Sequence, residues 1–76
     1  TTIDFQLVES TPVELTIYNV LGQKVAMLVN REMSAGYHYI QWDGRNEFGR
    51  AMASGVYFYS LKTEGFFDQK KMLLLQ

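Results

Sequence analysis

The side chains able to do chemistry are few, and they stand apart. His38 is the single histidine and the first candidate for general acid–base work. It alternates with Ile40 and Trp42 on one face of a strand-like run, and neither a second histidine nor a cysteine accompanies it. Proton transfer needs a partner within hydrogen-bond reach, so His38 reads as a structural or partly exposed histidine. Ser54 precedes Gly55 without the spacing of a nucleophile elbow. Asp43, Asn46 and Glu47 supply oxygens around Gly44, which faintly suggests a hard cation. Arg45 stands where a second donor belongs, however, and Asp and Asn beside Gly are favoured in turns for backbone reasons alone. The absence of cysteine removes thiolate catalysis, cysteine-ligated zinc and disulfides together. The expectation is no catalytic residue, no cofactor and no metal site.

Tyr37, Tyr39, Tyr57, Phe58 and Tyr59 could form an aromatic platform for sugars. On strands, aromatics more often fill half-buried positions or cross-strand pairs, and that reading is preferred. Met27, Met33, Met52 and Met72 are scattered and suggest packing.

The elements that hold these residues belong to one small domain of 76 residues. Seven basic and eight acidic residues give a formal charge of -1, which lacks the basic stripe of a nucleic-acid or anionic-membrane binder. No run approaches the ~18 apolar residues of a membrane span, so no membrane insertion is expected. The chain starts at Thr1-Thr2 inside an alternating pattern and reads as a fragment of a longer protein.

The period is about two throughout, not about 3.6. Ile3, Phe5 and Leu7 alternate with polar neighbours, and Val13, Leu15 and Ile17 do so after a break at Ser10-Thr11-Pro12. Gly22 marks a hairpin, Lys24 to Val29 a third strand, and Asn30 to Gly36 a loop. Tyr37 to Trp42 is a fourth strand, followed by a polar loop from Asp43 to Gly49. Gly55 to Thr63 is apolar on both faces around Tyr57, the mark of a covered central strand. Glu64-Gly65 turns the chain into a closing strand from Phe66 to Leu75. The pattern is all-β: an antiparallel sandwich of six or about seven short strands, without internal repeats. Trp42 is expected to be buried beside Ile17, Ile40 and Tyr57, with Gly22 and Gly55 as backbone requirements.

Five ordered blocks carry a resemblance: Ile17 to Val25, Ser34 to His38, Trp42-Asp43-Gly44-Arg45-Asn46, Ala53 to Tyr59 with its Gly55-Val56-Tyr57, and Lys70 to Leu75. Together they resemble the C-terminal sorting domain of the type IX (Por) secretion system. The variety is the one similar to the Ig-like domain of the flagellar hook-capping protein. The resemblance implies an Ig-like sandwich over residues 1–76, at the C-terminus of a larger exported protein. It implies an upstream cargo domain, recognition in the periplasm by the type IX machinery, and removal by a sortase-like peptidase. The cargo would then reach the cell surface or the medium.

Lys70, Lys71, Met72, Leu73, Leu74 and Leu75 are the candidate recognition segment, because a terminal edge strand can pair with a receptor. The same residues also read as the closing strand, with Met72 and Leu74 inward and the lysines guarding the edge. Two other functions compete: a structural Ig-like accessory or assembly module, and a carbohydrate-binding module that uses exposed tyrosines.

Overall fold

The alternation folds into six antiparallel strands, and the computed structural model describes all residues from Thr1 to Gln76. They are β1 (Thr2–Leu7), β2 (Thr11–Tyr18), β3 (Lys24–Met33), β4 (Gly36–Gln41), β5 (Gly55–Thr63) and β6 (Phe66–Leu74). β1 pairs with β4 in a two-stranded sheet, and the other four form a sheet in the order β3-β2-β5-β6. There is no helix, and so none long and apolar enough to cross a membrane.

Each sheet turns one apolar face inward. Ile3 and Leu7 of β1 face Val13, Leu15 and Ile17 of β2, Val25, Ala26 and Val29 of β3, and Tyr57 and Leu61 of β5. With Met33, Trp42 and Leu74 they make one cluster of thirteen buried side chains. Burial of a large apolar side chain is worth about 1.5–3 kcal/mol, and without a disulfide this cluster is what opposes the chain's entropy.

The third strand is longer than its alternation implies. Asn30, Arg31 and Glu32 do not form a loop but continue β3 to Met33, pairing with Glu14, Val13 and Pro12 of β2. Register shifts at Leu15/Thr16 and at Ile17/Tyr18 leave Leu28 and Val25 without opposite residues. Such bulges break a strict period of about two, which is why Val25 and Ala26 are both buried although adjacent. The supposed break at Pro12 also lies within β2. Only Glu14–Tyr18 of β2 meet β5, so Pro12 lies beyond that ladder and costs no hydrogen bond there.

β5 is central as expected, but only its inner face is covered. Its outward Val56 is 38% exposed, and the outer face of this sheet also carries Tyr18, Phe58, Phe67 and Leu73. The aromatic residues are dispersed accordingly. Tyr37 and Tyr39 are exposed on β4, Tyr57 is buried, and Phe58 and Tyr59 lie on opposite faces of β5, so no single platform forms.

Trp42 closes the sandwich just beyond β4 and is only 1% exposed. Its ring meets Tyr57 edge-on, with centroids 5.2 Å apart at 69°, in the cluster that holds Ile17 and borders Ile40. Its backbone N–H donates to the Thr1 carbonyl at 2.8 Å, tying the pole to the start of β1. Trp42→Ala should lower stability by about 3–5 kcal/mol, most of what a domain of this size has in hand. Thermal or urea melts followed by circular dichroism will measure it, and a loss below about 1 kcal/mol would mean that the indole is not a core element.

Candidate functional site

Two features carry what the sequence marked out: the loop after Trp42 and the closing strand. The loop exists because the indole N–H of Trp42 is buried and still needs an acceptor. That acceptor is the Arg45 carbonyl at 3.0 Å, three residues along the chain. Asp43 bends the chain back by accepting the Arg45 N–H on Oδ1 at 3.0 Å. Gly44 between them has φ of +79° and is buried. The Gly44 carbonyl then accepts the Met52 N–H at 2.8 Å, and Arg45 pairs with Ala51 across a short bridge.

The chain's last residue completes this corner, which the sequence reading did not foresee. The Gln76 side-chain amide donates to the carbonyls of Gly44 at 3.1 Å and Met52 at 2.9 Å. Its backbone N–H donates to Ser54 Oγ at 2.8 Å. Ser54 therefore works as an anchor for the end of β6. Tyr57 is fixed alongside, its hydroxyl donating to the Ala53 carbonyl at 2.7 Å, and Gly55 opens β5 with φ of +152°.

Gly22 belongs to a device that the chain uses twice. Asn19 Oδ1 accepts the N–H groups of Leu21 and Gln23, both at 3.0 Å, while the Asn19 carbonyl accepts the Gly22 N–H. Asn46 repeats each of these bonds with Phe48, Arg50 and Gly49. Both turns read Asn-x-x-Gly-x, and their glycines have φ of +80° and +81°. A short-range repeat is thus present, although none was expected. Its signal was the spacing of Asn to Gly, with the amide turning the backbone and glycine allowing positive φ.

The remaining polar candidates are occupied in the same way. His38 Nε2 lies 2.7 Å from the Ser34 carbonyl, so that nitrogen carries the hydrogen and donates it. The ring lies beside Phe5, with centroids 5.5 Å apart and planes tilted by 30°. Glu47 pairs with Lys24 at 3.2 Å, which pins the second Asn-x-x-Gly turn to the start of β3. No three His, Cys, Asp or Glu residues converge as metal ligands would.

β6 is an edge strand, bonded to β5 on one side only. Opposite partners assign its faces: Asp68, Lys70 and Met72 stand across from Leu61, Tyr59 and Tyr57 on the core side. Leu74 on that face is 4% exposed and belongs to the core, whereas Leu73 and Leu75 are exposed. Lys71 points to the outer face and Lys70 to the core side, where the smaller sheet does not cover it. Lys70 Nζ stands 3.9 Å from Asp68 on the same face.

Two measurements check this account. Both Gly22→Ala and Gly44→Ala force a Cβ into the left-handed region, at about 1–2 kcal/mol each. At Gly22 the added carbon meets nothing within 4 Å, whereas at Gly44 it falls 2.6 Å from Gln76 Nε2 and 3.2 Å from Leu74 Cδ1. Gly44→Ala should therefore cost more, and the excess should shrink in a Gln76→Ala background; equal costs in both backgrounds would break the link between loop and chain end. The oxygens of Asp43 and Asn46 already serve backbone amides, so micromolar calcium should leave the melting temperature unchanged. A rise would reveal a site for the ion, since a ligand of the native state must stabilise it.

Comparison with known proteins agrees with the architecture. The model of the FlgD Ig-like domain matches residues 1–65, which span β1 through β5 and stop at the turn before β6. No curated protein matches the chain. Among solved structures, the crystal structure of FlgD from P. aeruginosa superposes with a TM-score of 0.75 at 24% identity. The alignment covers 96% of this chain and 58% of that one, so this chain spans little more than half the length of that protein. At that identity the likeness shows the fold, an antiparallel Ig-like β-sandwich. The family match over most of its length shows that the chain belongs to the FlgD Ig-like domain family.

Proposed function

We propose that this Ig-like domain is a non-catalytic module that directs an attached cargo through the type IX outer-membrane secretion system. The cargo would pass through the periplasm to the cell surface or the medium, with a sortase-like peptidase removing the domain. The observation that carries the reading is the free edge of β6, which ends the sheet beside two exposed lysines. A receptor strand can extend a sheet at such an edge, taking affinity from backbone bonds and specificity from alternate side chains. Lys70 to Leu75 would be the segment recognised. That the polar candidates are engaged in holding turns supports a module without chemistry of its own.

Family membership favours a second reading, in which the domain is a structural accessory or assembly module, as the resemblance to the hook-capping protein suggests. A single fusion experiment separates the two. Fused behind a periplasmic reporter in a host with the type IX machinery, the domain should carry the reporter to the surface or medium. The variant to compare is Lys70→Ala with Lys71→Ala. Both side chains are exposed, and surface substitutions usually change stability by less than about 0.5 kcal/mol. The double variant should melt like the parent yet leave the reporter in the periplasm. Normal export of the variant would leave the lysines as edge protection only, and failure of the parent to export would favour the accessory module.

A further inference from the structure

The free edge of β6 is complementary to itself, and we infer that a second copy of this chain pairs with it, antiparallel, about a two-fold axis at Gln69. The inference goes beyond the sorting proposal and does not depend on it; both use the single free edge of β6, so pairing with a second copy and pairing with a receptor strand exclude each other.

A two-fold axis perpendicular to a continuous sheet places residues of the same face opposite one another, so the axis must pass midway between the two copies of one residue. The candidate centres differ in what they bring together. Centring on Asp68 sets two carboxylates face to face, and centring on Lys70 or Lys71 sets two ammonium groups face to face. Like charges directly opposite destabilise a strand pair. A centre at Phe67 sets Asp68 against Phe66, and one at Met72 sets Lys70 against Leu74. Only Gln69 sets Asp68 opposite Lys70 of the second copy, and it does so twice.

The same register serves the other positions. Phe67, 63% exposed, comes opposite Lys71 on the outer face, a cation beside an aromatic ring. Phe66, 54% exposed, comes opposite Met72 on the core side, a sulfur beside a ring. The two-stranded sheet leaves this part of β6 uncovered, with 43% and 63% of the Asp68 and Lys70 side chains exposed. Within one copy the two pair with each other at 3.9 Å and Asp68 Oδ1 accepts the Gln69 N–H at 2.9 Å, contacts that the dimer exchanges for the cross-strand pairs and a backbone bond. The charges that guard the edge against foreign strands thus select one register for the domain's own.

Sedimentation and light scattering over a concentration series should show a monomer–dimer equilibrium that weakens as salt screens the paired charges. Lys70→Glu or Asp68→Lys alone should weaken the dimer by about tenfold or more, since each turns two attractive pairs repulsive. The charge-swapped double variant should recover it. Because the chain has no cysteine, Gln69→Cys reports the register directly. Residues opposite in an antiparallel pair lie about 4.5–5.5 Å apart at Cα, within disulfide range, so this variant should cross-link on mild oxidation. Lys71→Cys should cross-link far more slowly. A monomer up to millimolar concentration, equal cross-linking at the two positions, or a swap without recovery would each overturn the proposal.

Discussion

The indole of Trp42 has to be dry on all sides and still place its N–H on an acceptor, and most of the fold can be derived from meeting both demands. Dryness comes from the meeting of the sheets, with Tyr57 set edge-on against the ring and β1 fastened to Trp42 through its backbone. The acceptor must arrive from a loop that turns back within three residues, which calls for Asp43 as the turning group and Gly44 as the residue with positive φ. A loop so tight leaves its own carbonyls pointing outward. Met52 and the Gln76 side chain meet one of them, so the buried N–H reaches by a chain of hydrogen bonds to Gln76, just beyond β6. In a domain without a disulfide, this connection links the smaller sheet, the loop and β6.

The division between what could be read in the residues and what could not follows the physics of each element. Alternation reveals a strand with one wet face, so β1, the start of β2, β4 and the burial of Trp42 were all legible. Bulges are invisible to a fixed period, and two of them break the alternation of β3 at Val25 and Leu28, while residues as polar as Asn30, Arg31 and Glu32 conceal its second half. The outer face of β5 carries apolar residues as a covered strand would, yet no layer lies over it; composition cannot distinguish a covered face from an open one. The paired Asn-x-x-Gly turns at Asn19 and Asn46 are local in sequence, but their signal is the spacing of the amide to the glycine and not the glycine alone. Gln76 carries no signal at all, because an isolated amide declares its partners only in three dimensions.

The polar side chains that the sequence offers as candidates hold backbone in place. Ser54 holds the end of β6, Asp43 and Asn46 turn loops, and His38 braces the short connection between β3 and β4. What remains uncommitted lies elsewhere: the open face around Tyr18 and Phe58, and the backbone edge of β6. The family match, ending at residue 65, describes the scaffold up to that edge, while the fold likeness extends through nearly the whole chain. Leu74 ties the last strand into the core, while its outer edge stays unpaired.

The position of the two chain ends has a mechanical consequence. Thr1 and Gln76 are fastened to Trp42 and Gly44, so both ends leave from one pole, and the strands they terminate, β1 and β6, lie at sheet edges. Tension applied between the ends does not shear these ladders along their length, which would load many bonds at once. It peels each strand from the pole, loading one rung after another: Thr2 from Gln41 on one side, Leu74 from Gly55 on the other. Traction applied at Thr1 and Gln76 would thus load the two edge ladders rung by rung before it reached the β2–β5 pair at the centre of the sheet.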